Sequence, residues 1–227
     1  MATSADTVQS RIAANISTLN TNIDSISASL PLAKAWIDSE SAGYAKIPAQ
    51  DLLSAARLSL LEAAASWSAG LNRAAAGSLR TFLENAISWL YYKDHAVEYR
   101  LVTMAKSDLF LPKAVQKYLI AIDGGFEAAY KYLEKSKSRP NEYYYTDISS
   151  FVHAHPNFLL SGKTGPEIVV SVPPDQDFIK MCQHADEFLN DQFITFYRHS
   201  WGSVPQSAQA AATNRLGDKL ADFLAVP

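Results

Sequence analysis

The sequence predicts an all-α protein, and three observations support that prediction. Apolar residues recur in steps of three and four through most of the chain, as they do on one face of a helix. Proline and glycine interrupt these stretches at Pro31, Pro112, Gly124 and Pro156, where a helix has to begin, divide or end. Residues 168–172 form the one convincing β-like run, which is too little to build a sheet.

The composition is that of a folded domain. Of 227 residues, 48% are apolar and 19% are charged, which is enough apolar material for a sizeable core. The net charge of −3 argues against a general nucleic-acid binder. The lone cysteine, Cys182, excludes an internal disulfide. Because the chain shows neither a signal-like N-terminus nor an apolar run of roughly 18 residues, we expect a cytoplasmic protein with no membrane partner.

The N-terminal stretch has the pattern of one long helix that ends at Pro31. Its apolar residues follow one another in steps of four and three: Val8, Ile12, Ile16, Leu19, Ile23, Ile26 and Leu30. The other positions are mostly small and polar, unlike the charged flanks of a solvated coiled coil. Two interpretations stay open: the helix packs against its own bundle, or it pairs with a second copy in a homodimer.

Further apolar stripes predict helices that start near Pro48, after Gly70, at Pro112, after Pro140 and near Asp175, with a short terminal helix ending near Leu224. The Gly124–Gly125 pair should kink or divide the helix that begins at Pro112. The predicted organisation is an N-terminal helix and linker at 1–47, a helical core at 48–159, a loop at 160–174, and C-terminal helices of the same domain at 175–227.

Two segments about fifty residues apart carry the strongest functional signal. The first, residues 79–95, reads LRTFLENAISWLYYKDH. Its predicted core stripe consists of Leu79, Phe82, Leu83, Ala86, Ile87 and Leu90. Arg80 and Glu84 lie one turn apart beside that stripe. They form either an exposed ion pair, worth at most about 0.5 kcal/mol, or a polar pair at a seam of the bundle that orients a partner on the neighbouring helix.

The second segment, residues 143–156, reads YYYTDISSFVHAHP. A helical projection places Tyr144, Ile148, Phe151 and Val152 on an apolar face, and Glu142, Thr146, Ser149 and His153 on the opposite face. His153 can transfer protons, since the ordinary pKa of histidine lies near neutrality. It can equally be a helix-terminal residue that bonds to the last carbonyls.

Together the two segments resemble the core of the HEPN superfamily. This resemblance covers roughly residues 50 to 160. It implies a small helical bundle of the kind that recurs in prokaryotic conflict systems as ribonuclease toxins, their partners or sensors. In the family's ribonucleases, the 2′-hydroxyl of RNA attacks the adjacent phosphate without a metal, and an arginine lies four to six residues before the histidine.

That arginine is missing here. Asp147 lies six residues before His153, and a carboxylate cannot stabilise the negative charge that develops on the phosphate. An arginine from elsewhere, such as Arg80 or Arg139, has to supply the charge, or the domain is catalytically silent. The resemblance therefore makes His153, Arg80 and Glu84 the candidate catalytic residues, with no metal and no cofactor.

A basic stretch with neighbouring tyrosines is the candidate face for RNA or a protein partner. It comprises Tyr143, Ser149, Lys131, Lys135 and Arg139. Exposed aromatic rings can stack on bases and cations can pair with phosphates. The alternative is that the lysines form a solvated helix face and that two of the three consecutive tyrosines lie in the core.

From these observations we expect an interaction or sensor module of a prokaryotic defence or toxin–antitoxin system, without standard ribonuclease activity. The alternative is a metal-independent endoribonuclease whose site is built around His153. The expected partners are a second copy of the chain, a cognate protein of the same system and, in the alternative, RNA.

Overall fold

The structure is a computed structural model that describes residues 9–10, 12–14, 19–44, 46–136, 145, 148–149, 152 and 176–227. Every regular element in this part of the chain is a helix, so the all-α prediction is confirmed. The predicted loop at 160–174, with its β-like run at 168–172, lies outside the described residues.

Ten α-helices are present in the described part of the chain. They are α1 (Leu19–Ala28), α2 (Pro31–Gly43), α3 (Gln50–Ser68), α4 (Asn72–Tyr92), α5 (Ala96–Thr103), α6 (Pro112–Ile122), α7 (Phe126–Glu134), α8 (Gln176–Phe196), α9 (Gln206–Leu216) and α10 (Leu220–Leu224). Two short 3-10 helices, Arg198–Ser203 and Gly217–Lys219, connect the last of them.

Several helix boundaries lie where glycine and proline predicted them. α3 ends at Ser68, two residues before Gly70, which adopts a φ of 80°. The amide of Leu71 donates back to the carbonyl of Ser66 at 2.8 Å. This is the left-handed termination that glycine favours. Pro112 opens α6, and the Gly124–Gly125 pair separates α6 from α7.

Two helices were not predicted. Pro31 does follow the end of α1, but it also opens α2, where the sequence indicated a linker. Proline is tolerated in the first turn, whose amides have no partner within the helix. The short helix α5 was missed as well, because eight residues are too few to show a clear period.

The chain divides into two compact units that do not follow the chain order. The first unit contains residues 1–30, 57–82 and 142–185, and the second contains residues 31–56, 83–141 and 186–227. Helices α3, α4 and α8 each contribute residues to both units.

The first unit has a core formed by several helices. Ile26 of α1 and Leu30, two residues after its end, are completely buried. The ring of Trp67 on α3 stacks on Phe178 of α8 with centroids 5.7 Å apart. The end of the N-terminal apolar seam is thus covered by its own chain. Of the remaining seam positions, Val8 and Ile16 lie outside the described residues.

The second unit buries an unusual number of polar side chains along α8. They are Asp186, Asn190, Asp191, Gln192 and Thr195, followed by Arg198 in the 3-10 helix. Each buried polar group needs a hydrogen-bond partner, and neighbouring helices supply several. The indole Nε1 of Trp36 on α2 donates to Asn190 at 2.8 Å, and Arg215 of α9 pairs with Asp191 at 2.6 Å. These bonds join α2 and α9 to α8.

Candidate functional site

The two motif segments meet in the first unit. The Nε of Arg73, near the start of α4, donates to the backbone carbonyl of Val152 at 2.8 Å. Two turns further along the helix, the guanidinium of Arg80 lies over the ring of Tyr145, 5.6 Å from its centroid. Tyr145 and Val152 therefore contact α4 in the reverse of their chain order.

The sequence of α4 explains why both arginines face that stretch. Residues seven apart lie nearly two full turns apart on one helix face, and Arg73 and Arg80 have that spacing. The predicted core stripe from Leu79 to Leu90 is buried at every position, which leaves the arginines at its side. On the partner segment, Ile148 is completely buried, as its predicted apolar face requires.

Arg73 is a candidate site residue that the sequence reasoning missed. It lies outside the 79–95 segment, and the signal that could have found it is its seven-residue distance from Arg80. Its side chain is exposed, and its Nε bond to Val152 is its one polar contact among the described residues. Among the described residues, none contacts its two Nη groups. A guanidinium held in this way presents a donor pair suited to a phosphate or carboxylate.

The other predicted residues of the site are only partly described. Arg80 and Glu84 are both half-buried, and Ser149 is half-buried and helical. This partial burial disagrees with a fully exposed surface pair at positions 80 and 84. His153, Tyr143 and Arg139 lie outside the described residues, as does Asp147.

Two lysines of the predicted basic face, Lys131 and Lys135, are among the residues that the structure describes. Lys131 forms an ion pair with Glu127 on the next turn of α7, and both side chains are more than half exposed. Lys135 is exposed at the end of the same helix. An exposed pair of this kind contributes little to stability, and the choice between a solvated helix face and a face for RNA or a partner stays a prediction. Both lysines belong to the second unit.

A second polar cluster lies buried in the second unit. The hydroxyl of Tyr197 donates to Glu40 Oε2 at 2.8 Å, and the indole of Trp89 donates to the same oxygen at 2.7 Å. The Nζ of Lys93 donates to the Tyr197 oxygen at 2.8 Å and lies 4.4 Å from the ring centroid of Phe196. Burial and the Glu40 carboxylate hold the pKa of Tyr197 far above its usual value, so the phenol stays protonated and bridges the two charges.

Comparison with known proteins adds no identification. The sequence matches no protein family, no curated protein and no solved structure. In the described part of the chain, no helix is long and apolar enough to cross a membrane. The same residues contain no group of three or more histidine, cysteine or acidic side chains placed to hold a metal ion.

Proposed function

We propose that this chain is a HEPN-like module of a prokaryotic defence or toxin–antitoxin system and that it cleaves RNA without a metal ion. The contact of Arg73 with Val152 is the observation that supports this activity. It joins an arginine to the residue that directly precedes His153 in the chain. Arg73 would therefore supply the positive charge that the second segment lacks, since that segment has no arginine of its own.

The proposed chemistry is a transesterification within the RNA. The 2′-hydroxyl loses its proton and its oxygen bonds to the adjacent phosphorus, while the bond to the 5′-oxygen breaks and that oxygen gains a proton. His153 would move these protons. The Nη groups of Arg73 would donate to the non-bridging oxygens, where negative charge develops. The products are a 2′,3′-cyclic phosphate and a 5′-hydroxyl end.

Arg80 has a positioning role in this scheme. Its guanidinium lies over Tyr145, and a cation held against an aromatic face is stabilised by about 0.5–2 kcal/mol. The contact fixes the 145–152 stretch against α4 two turns away from Arg73. Glu84, one turn beyond Arg80, is assigned no separate role in the cleavage step.

The second candidate is an interaction or sensor module without ribonuclease activity. It is favoured by the contacts of Arg73 with Val152 and of Arg80 with Tyr145, which lie within the chain. In this reading Arg73 and Arg80 stabilise the bundle, and the module acts by binding a cognate protein or a second copy of the chain.

An RNA cleavage assay in EDTA separates the two functions. We expect the purified protein to cut RNA into fragments with cyclic phosphate ends, and His153→Ala to abolish cutting. His199→Ala is the matched control, because His199 is exposed in the 3-10 helix of the second unit. Asp147→Ala should leave the rate unchanged or raise it, since it removes an anion near the phosphate.

Two results would contradict the proposed cleavage. One is a folded protein that cuts no RNA in EDTA and does not impair growth when overexpressed, which favours the interaction module. The other is cutting that survives His153→Ala and requires an added metal ion, which rejects both readings of this site.

A further inference from the structure

A cluster of aromatic rings surrounds His95 in the second unit and has no part in the proposed cleavage. The imidazole stacks on Tyr91 with centroids 4.0 Å apart and planes 6° apart. The ring of Tyr118 meets it edge-on at 5.0 Å. Phe110 packs on Tyr91 at 4.6 Å and keeps 39% of its surface exposed. These contacts hold the imidazole in one orientation at the protein surface.

The hydrogen bonding of His95 determines which nitrogen can accept. Its Nδ1 lies 2.7 Å from the carbonyl oxygen of Tyr91, and a carbonyl can only accept, so Nδ1 carries the proton of the neutral ring. Nε2 is then an acceptor. His95 makes no other polar side-chain contact with a described residue, and the side chain is half-buried, so this acceptor is unused within the described structure.

The carboxylates of Glu98 and Asp94 act on the tyrosines of the cluster. Burial and then the carboxylate of Glu98 raise the pKa of Tyr91, and burial and then the carboxylate of Asp94 raise the pKa of Tyr118. Asp94 and Glu98 are exposed, and neither forms an ion pair with a described residue. A negative potential over aromatic rings repels phosphates and attracts cations.

We propose that the cluster of His95, Tyr91, Tyr118 and Phe110, with Asp94 and Glu98 at its rim, binds the guanidinium group of an arginine. A guanidinium is planar and stacks on aromatic rings. It carries five donors and no acceptor, which matches a site that offers an imidazole acceptor and two carboxylates. A nucleotide is excluded as the occupant, because its phosphates would meet the carboxylate rim.

Three cations, Arg100, Lys113 and Lys117, are exposed on the neighbouring helices, whereas the charges that shift the pKa values of Tyr91 and Tyr118 are those of carboxylates and other tyrosines. Lys93 points into the buried cluster with Tyr197 and is not available to neutralise the rim.

Titration of the full-length protein with Nα-acetyl-arginine methylamide, followed by NMR, tests this site. We expect saturable shifts of the His95 and Tyr118 ring signals, with a dissociation constant of about a millimolar for so small a ligand. The citrulline analogue is the matched control ligand, because it has the same shape and no charge. It should bind at least about tenfold more weakly.

Two variants test separately the contributions of the carboxylates and of the His95 Nε2 acceptor to arginine binding. Asp94→Asn with Glu98→Gln changes exposed side chains only and should weaken arginine binding about tenfold. His95→Phe keeps the stacking and removes the acceptor, and should weaken it by a similar factor. Asp218→Asn, an exposed change on another element, should leave binding unchanged. In the unsubstituted protein, the nitrogen chemical shift of Nε2 in the neutral imidazole should be that of an unprotonated nitrogen.

The source of the guanidinium is distinguished in the same experiment. Free arginine carries a carboxylate that the rim repels, so tighter binding of the blocked analogue identifies a side chain of a protein or peptide as the ligand. Tighter binding of free arginine identifies the amino acid itself. The proposal is overturned by any of three results: no shift with either ligand, an equal response to citrulline, or unchanged affinity in the Asp94→Asn, Glu98→Gln variant.

Discussion

Asp186 is a buried carboxylate that caps a helix to which it does not belong. From α8 it accepts hydrogen bonds from the backbone amides of Ala33 at 2.6 Å and Leu32 at 3.3 Å, two of the unpaired donors in the first turn of α2. Burial raises the pKa of Asp186 to about 6, although both amide bonds act in the opposite direction. The loss of hydration therefore changes the pKa of Asp186 more than its two hydrogen bonds do.

The raised pKa of Asp186 predicts a specific dependence of stability on pH. Between about pH 3.8 and pH 6 the folded state binds more protons at this site than the unfolded state, so the contribution of Asp186 to the free energy of unfolding falls as pH rises through that window. The full effect is on the order of 3 kcal/mol. Urea unfolding of the wild type and of Asp186→Asn at about pH 4 and pH 7.5 measures it.

Asp186→Asn should show a flatter pH profile than the wild type. The amide oxygen of asparagine still accepts from the first turn of α2, and no charge has to be buried. At about pH 7.5 the variant should be at least as stable as the wild type. Parallel pH profiles for the two proteins, or a wild type that gains stability from Asp186 as pH rises, would show that hydrogen bonding outweighs burial at this site.

At the scale of elements, α2, α4 and α8 are joined by buried polar side chains. Glu40 of α2 accepts from Trp89 of α4 and from Tyr197 after the end of α8, and Lys93 donates to the same phenol. Groups that share buried partners are coupled, because removal of one leaves the others unsatisfied. The polar chain thus fixes how these three elements pack in the second unit.

A double-mutant cycle measures the coupling between Lys93 and Tyr197. Tyr197→Phe and Lys93→Met should each lower the free energy of unfolding by about 1–3 kcal/mol. The double variant should lose less than the sum of the two, by about 0.5–3 kcal/mol. Thr81→Ala, at an exposed position of α4, is the control and should have little effect. Additive losses would mean that the two residues stabilise the fold independently.

The elements also show which parts of the fold local sequence can predict. Every residue of the stripe predicted for α4 is buried, because the apolar residues of this helix follow the helical period along the face that packs in the core. α2 was missed because its first turn is completed by Asp186, more than 150 residues away, and no local pattern contains that contact. Ile122, the last residue of α6, is apolar but 55% exposed, so an apolar residue at a helix end is not by itself a sign of burial.

The candidate site was predictable in part for the same reason. Arg80 was chosen because it lies within the motif segment, and its role stays a prediction. Arg73 was missed because its contact with Val152 joins residues that are 79 apart in the chain. The buried Glu40, Tyr197 and Lys93 cluster carries no sequence pattern at all. Its members come from three distant parts of the chain and meet only in the folded unit.

At the scale of the whole molecule, association with a second copy is the remaining prediction. The seam from Val8 to Leu30 suggested a dimer helix, yet Ile26 and Leu30 are buried within their own chain. We therefore expect a homodimer to use the earlier part of the seam, so that Ile12→Asp dissociates it, whereas Ile26→Asp unfolds the chain. Light scattering with circular dichroism measures both. A wild type that stays monomeric at micromolar concentration would contradict the prediction.

The central claim is that Arg73 supplies the positive charge which the second motif segment lacks. The most direct test is the single-turnover rate of RNA cleavage in EDTA for Arg73→Ala, with Arg100→Ala as the control at an exposed arginine of α5. We expect Arg73→Ala to lower the rate by about a hundredfold or more with unchanged circular dichroism, and Arg100→Ala to cleave like the wild type. An Arg73→Ala protein that folds and cleaves at the wild-type rate would contradict the claim.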